Sequence, residues 1–211
     1  MLTNSKILFR GTGFISWLIC LGAMIFSRKS GLLFGGNGIV FSHVATVLDS
    51  EDMTPKFRAD YNMRRHTKYI TESTSISKCL DIFGKMVSGV QIALLSDKLK
   101  KYKGKCYYIE ITPKPSKKDL RKIESTIRKY YSRTKNTPYE KSWKTLLFSQ
   151  LDMLNIQLKE NLLSLFCSEW CNLIDRKIGW TKGEVNEVTP TDYGGGLKLY
   201  KKRKFLRITR I

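Results

Sequence analysis

The chain has 211 residues, 42% of them hydrophobic and 11% aromatic, which excludes a disordered polymer and suffices for one domain with its own core. The 38 Lys and Arg outweigh 18 Asp and Glu to give a formal net charge of +20, a balance that draws polyanions such as nucleic acid, anionic lipid headgroups or acidic cell-wall polymers unless the lysines simply solvate the surface. A bilayer-spanning helix is excluded because about 20 apolar residues are needed and the nearest run, Phe14 to Phe26, has 13.

Taken in chain order, Ile7 to Phe9 reads as a strand, followed by a Gly11/Gly13 turn and a buried helix from Ser16. The segment has the basic flank of a signal peptide in Lys6 and Arg10, but no small-x-small cleavage site follows Phe26. Neither a signal peptide nor a membrane helix is expected, and the location implied is cytoplasmic or virion-associated. Gly31 to Gly38 lacks the Gly-Lys-Ser/Thr of a phosphate loop and reads as a turn delivering a strand from Ile39 to Leu48. Asp49 to Arg65 is polar, contains Pro55 and reads as an exposed loop; its Asp49, Glu51 and Asp52 read as solvated acids rather than a cation site. Lys68 to Thr71 is a short strand ending at Glu72, and Ser77 to Phe83 a helical turn. Val87 to Leu95 alternates as a strand, Ser96 to Tyr102 is one helical turn, and Lys105 to Thr112 is a further strand.

Ser116 with Asp119 three residues later marks a helix start, and the helix runs to about Tyr131 with Leu120, Ile123 and Ile127 buried. Tyr139 to Leu154 reads as another helix. Leu162 to Phe166 leads into a helix from Ser168 to Ile178, closed by Gly179. Thr189-Pro190-Thr191-Asp192 is a turn, and Leu197 to Ile211 a basic, partly alternating stretch able to add an edge strand. Tyr107, Tyr108, Trp143, Trp170 and Trp180 read as core residues rather than a base-stacking platform. Strands, then helices, then a strand fit an α+β domain.

The five cysteines, Cys20, Cys79, Cys106, Cys167 and Cys171, are odd in number and sparse, which argues against a disulfide framework. With two histidines, His43 and His66, and no Cys-x-x-Cys pair, the expectation is no metal and no other cofactor. Cys167 is different in kind, because it stands where an apolar stretch turns into a helix. A helix N-terminus and a nearby imidazolium both stabilise a thiolate, and His43, at the start of a β-branched run, is the imidazole on offer. An acidic residue is then needed to orient the ring; Glu72 and Glu110 both qualify. Glu169, beside the cysteine, reads as helix N-terminal charge.

Ordered this way, the motifs resemble those of the circularly permuted papain-like proteins of the NlpC superfamily, in particular the YiiX-like group related to the lecithin:retinol acyltransferase branch. The likeness covers roughly residues 7 to 193. It rests on Ile7-Leu8-Phe9-Arg10-Gly11-Thr12-Gly13, Ser42-His43-Val44-Ala45, Ile70-Thr71-Glu72-Ser73, Ser88-Gly89-Val90-Gln91-Ile92, Pro138-Tyr139, Phe166-Cys167-Ser168-Glu169 and Thr189-Pro190-Thr191-Asp192. The long stretch between His43 and Glu72, the expanded Tyr139 to Ser164 and the tail after Tyr193 depart from it.

The resemblance implies a permuted papain-like α+β fold: an antiparallel sheet packed against helices, with the catalytic cysteine at a helix N-terminus. Residues 1–193 would form that hydrolase domain and 194–211 a basic C-terminal extension. It further implies a cysteine peptidase, amidase or lipid acyl-hydrolase with Cys167 as nucleophile, His43 as base and Glu72, ahead of Glu110, as the orienting residue. Its substrates would be peptide, cell-wall or lipid acyl compounds. Lys98–Lys144 and Lys198–Arg210 are the basic stretches that would meet anionic lipid or nucleic acid; the rival reading is a binding module that uses this charge and has no catalysis.

Overall fold

The computed structural model describes residues 3–13, 16–17, 19–21, 24, 40–75, 79–139, 165–182, 188–194 and 204–210. Their strands are β1 (Lys6–Gly11), β2 (His43–Asp49), β3 (Lys68–Thr74), β4 (Gly89–Leu94), β5 (Gly104–Thr112) and β6 (Lys204–Arg210). They form one six-stranded sheet in the order β4-β3-β2-β1-β5-β6, each neighbouring pair antiparallel. Strand β1 lies inside it, and both its faces are covered. Ile7, Leu8 and Phe9 are accordingly all fully buried, which is why three apolar residues run on without alternation.

Because β4 and β5 both run opposite to neighbours that are themselves alternating, they point the same way, and the chain must cross a sheet face between them. That crossing is made by α2 (Leu95–Lys101), which follows α1 (Pro55–Asp60) in the chain. Leu95, Leu99 and Tyr102 pack on Ile7, Phe9, Ala45, Val47, Ile70 and Ala93. The other face carries Leu48, Tyr69, Val90, Ile92 and Ile111, packed by α3 (Lys117–Tyr130) and α4 (Cys167–Lys177). Helix α3 starts with a capping box, in which Ser116 Oγ accepts from the Asp119 amide and Asp119 Oδ2 from the Ser116 amide, an arrangement whose loss costs about 1 kcal/mol. Helix α4 buries Trp170, whose Nε1 donates to Thr71 Oγ1 at 2.9 Å, and stops at Gly179 in the left-handed region at φ +73°.

Several elements differ from expectation. Strand β2 begins at His43, and residues 40–42 are not strand. Residues 49–65 are not an exposed loop: a 3-10 turn, Ser50–Asp52, precedes α1, and Met53, Phe57, Tyr61 and Met63 are buried. Thr54 caps α1 through Phe57 N, and Pro55 occupies the first helical turn, where it needs no hydrogen-bond partner. Proline here starts a helix instead of breaking one. The acids of this segment are each engaged, Asp49 by Lys68, Glu51 by the His66 amide and Asp52 by Thr3. Strand β3 runs on to Thr74, so Glu72 lies inside it and not after it. Residues 79–83 are turn and bend and not helix.

The helix expected over Tyr139 to Leu154, with Trp143, lies outside the described residues beyond Tyr139. Residues 16, 17, 19–21 and 24 are helical as expected. Strand β6 adds the expected edge beside β5, with Tyr108 opposite Thr209. The described part of the chain is thus α+β with an antiparallel sheet. Among the described residues no helix is long and apolar enough to cross a membrane.

Candidate active site

His43 opens β2, and its position is fixed from the strand before it. Ser42 Oγ donates to the Phe9 carbonyl at 3.2 Å and accepts from Gly11 N at 3.2 Å, while Ser42 N donates to Phe9 O. The imidazole lies against the Phe9 ring, centroids 5.3 Å apart. Its Nε2 donates to Glu72 Oε2 at 2.5 Å. The Cys167 side chain lies close enough to act on the ring electrostatically.

Cys167 is the first residue of α4. The helix start is held by Glu169 Oε2, which accepts from Phe166 N at 2.7 Å, so Glu169 serves the helix end as expected. The preceding residue, Leu165, is tied on both sides: its N–H donates to Pro138 O at 3.1 Å and its carbonyl accepts from Ser73 Oγ at 2.6 Å. Tyr139 packs edge-on against Phe166. The Pro-Tyr motif therefore braces the segment that delivers the cysteine. From the other side Thr191 Oγ1 accepts from Phe41 N at 3.1 Å, and Phe41, Val44, Val188 and Tyr193 form the apolar surround of Cys167.

Glu72 is wholly buried and takes three donors. Oε2 accepts from His43; Oε1 accepts from Lys98 Nζ at 2.6 Å and Gln91 Nε2 at 2.7 Å. Gln91 faces Glu72 directly across the β3–β4 pairing. That strand starts at Gly89, whose φ of +124° and 2.2 Å clearance from Thr137 O to a built Cβ admit no side chain. Burial alone would push the Glu72 carboxyl up, but the Lys98 ammonium and the imidazole hold it well below the usual carboxylate range. Burial likewise disfavours the imidazolium of His43; the charges of Cys167 and Glu72, with the hydrogen bond to Glu72, outweigh it and push the ring up to about 9.

Of the residues anticipated from sequence, His43, Cys167 and Glu72 come together. Glu110 does not enter this group; its Oε2 accepts from Tyr108 OH at 3.3 Å. Lys98 and Gln91 were missed. Lys98 belongs to the basic stretch that the sequence opens to polyanions, yet it is buried and its charge is committed to Glu72. A lysine at i+3 in the pattern Leu95, Lys98, Leu99, Tyr102 stands on the core-facing stripe of a helix, and that was the available signal. None of the five cysteines forms a disulfide. Among the described residues no three His, Cys, Asp or Glu side chains gather in a way that would hold a metal ion.

No protein-family model matches the chain. None of the curated proteins matches it either. Among solved structures it is similar to the crystal structure of the metalloprotein yiiX from Escherichia coli, with 12% identity and a TM-score of 0.47, covering 100% of this chain and 96% of that one.

Proposed function

We propose that the protein is a cysteine hydrolase of amide or ester bonds with a permuted papain-like fold, working through an acyl-thioester on Cys167. The observation that carries this reading is the His43 ring, bonded through Nε2 to a buried carboxylate and within electrostatic reach of a thiol at the first residue of a helix. The Cys167 thiolate attacks the substrate carbonyl, and the first backbone N–H groups of α4, which have no intrahelical acceptor, receive the oxyanion. His43 gives its proton to the leaving amine or alkoxide as the C–N or C–O bond breaks. A water then attacks the thioester, giving a proton to His43; the acid departs and the thiolate–imidazolium pair is restored. Glu72 keeps the ring in the productive orientation. The substrate would be a peptide, cell-wall or lipid acyl compound, the classes that the resemblance implies.

The test is site-resolved alkylation with limiting iodoacetamide at about pH 6, well below the free thiol range. Rapid labelling confined to Cys167 and lost in His43→Ala is the expected result. Slow labelling spread over the five cysteines would sink the reading.

A second reading is favoured by one feature of α3. Its exposed charged side chains include Lys117, Lys118, Arg121, Lys122 and Lys129, while Asp119 and Glu124 are buried. Such a face suits a polyanion held by phosphate-type contacts, with the thiol incidental. Binding of DNA or anionic vesicles that falls with salt, is weakened in Lys118→Glu/Lys122→Glu and is unchanged in Cys167→Ala would favour it.

A further inference from the structure

The carboxylate that orients His43 is itself held by a charge that no part of the hydrolase reading uses. We infer that Lys98 is a positioning residue of this site, its ammonium fixing Glu72 as the anion against which the thiol–imidazole pair is set. The inference rests on the proposed thiol chemistry and extends it by one residue.

The geometry is specific. Lys98 Nζ lies 2.6 Å from Glu72 Oε1, and the Lys98 side chain is 10% exposed against 0% for Glu72. Taking a lysine and a glutamate out of water costs several kcal/mol per ion unless each is closely paired, so the pairing is a condition of the fold and not a surface accident. The two carboxylate oxygens are divided between tasks: Oε2 serves His43, and Oε1 serves Lys98 and Gln91. Three donors on two oxygens leave the carboxylate one orientation. Lys98 is also held in place by packing. Its ammonium sits 5.6 Å from the centroid of the Phe9 ring, and that ring packs on His43 at 5.3 Å.

Charge counting gives the consequence. Thiolate, imidazolium, carboxylate and ammonium sum to zero. Without Lys98 the same buried group carries one net negative charge whenever Cys167 is ionised, and burial disfavours that state. The other titratable groups close to the cluster do not replace the missing cation. Cys79, which the charges of Lys98, Lys101, Glu72 and Asp97 reach, is pushed up by burial. So are Cys106 on β5, Tyr102 at the end of α2 and Cys20, which Arg10 faces. These thiols and the phenol remain neutral where the site would work. Asp97 and Lys101, on α2 itself, are exposed to solvent.

The experiment follows the pH dependence of Cys167 alkylation, read site by site by mass spectrometry, in wild type, His43→Ala, Glu72→Gln, Lys98→Gln and Lys98→Arg. Glutamine keeps an N–H donor for Glu72 and removes the charge; arginine keeps the charge. Lys98→Gln is expected to move the labelling inflection upward by about one pH unit, roughly tenfold slower labelling below it, with Lys98→Arg close to wild type. An unmoved inflection in Lys98→Gln, while Glu72→Gln moves it, overturns the role of Lys98 and leaves the thiol–imidazole pair standing. Equal displacement in Lys98→Arg and Lys98→Gln overturns it as well, since charge would then not be the cause. Absence of His43-dependent labelling in the wild type is a different failure: it removes the hydrolase reading, and this inference with it. Should Lys98→Gln not fold, Lys98→Gln/Glu72→Gln removes the stranded anion, and its inflection is expected to match that of Glu72→Gln. A further displacement would show Lys98 acting other than through the carboxylate, and would overturn the inference.

Discussion

Among the described residues the sheet buries two lysine–carboxylate pairs, and their surroundings are opposite in kind. In one, Lys6 Nζ bonds Asp175 Oδ1 at 3.0 Å with both side chains fully buried. Asn4 donates to the same oxygen, Tyr193 OH donates to Oδ2 at 2.9 Å, and Lys6 is further held by Thr46 Oγ1 and Asn4 Oδ1. Apart from Thr46, whose hydroxyl also donates to Cys171 Sγ, each of these side chains ends on another of the same set. In the second pair Lys98 and Glu72 are bonded just as closely, but Glu72 keeps one oxygen for an imidazole that is 16% exposed and reaches a thiol. Helix α4 supplies one cysteine to each region. Cys171, beside the sealed pair, is pushed up to about 12 by burial and bonds Thr46 and the Val44 carbonyl. Cys167, one turn earlier, meets His43. A closed ion pair ties β1, α4 and the Asp192–Gly194 turn together; the open one ends on the imidazole of His43.

The largest expected effect breaks that comparison at the cysteines. Cys167→Ala should abolish iodoacetamide labelling at pH 6 and all turnover. Cys171→Ala should leave Cys167 labelling at the wild-type rate, at a cost of about 1 kcal/mol for the lost bonds. Comparable loss of labelling in both variants would mean that the two thiols do not differ as described.

The sealed pair should answer to a different assay. Lys6→Met strands the Asp175 carboxylate and is expected to cost about 3–5 kcal/mol in urea denaturation, whereas Lys6→Met/Asp175→Asn should recover much of this. In whatever fraction stays folded, the pH dependence of Cys167 labelling should be that of wild type. A shift as large as that expected for Lys98→Gln would show the two regions to be coupled.

Much of the open region was legible in the sequence, and the sealed one was not. A histidine at the head of a β-branched run and a cysteine at a helix start announce themselves by residue type, and Glu72 stands at the end of the strand read from Lys68. Lys6 and Lys98 do not, because a lysine beside an apolar run is normally a flank or a solvated surface residue. Each is buried only because a carboxylate distant in sequence, Asp175 or Glu72, waits at the same place. The stretch after Asp49 was misread for a related reason. Its Thr54-Pro55 is a helix start, held in addition by Glu124, on α3, which accepts from both Thr54 N and Thr54 Oγ1. Such partners are set by the fold and have no local signature.

The open region should also make stability depend on pH. His43 is raised from 6.5 to about 9 on folding. The folded state therefore binds the imidazolium proton more tightly than the unfolded chain does, and this contribution is complete below about 6.5 and fades as pH climbs through about 9. Urea midpoints measured across that window should fall with rising pH in wild type, and the fall should be smaller in His43→Gln. An equal fall in the variant would place its origin elsewhere.

The smallest expected effect concerns the third carboxylate. Glu110 shares with Glu72 a position within a strand, and by residue type either would orient an imidazole. What separates them is their partners: Glu110 accepts from the phenol of Tyr108, two residues away on the same strand, whereas Glu72 accepts from β2, β4 and α2. A half-buried carboxylate bonded to a local hydroxyl contributes little, so Glu110→Gln should change stability by no more than about 0.5 kcal/mol and leave Cys167 labelling unchanged at every pH. Glu72→Gln should displace the labelling inflection. The contrast is informative because both substitutions remove one negative charge from the same domain: if the two displaced the inflection equally, general charge and not the directed bond to His43 would be controlling the thiol.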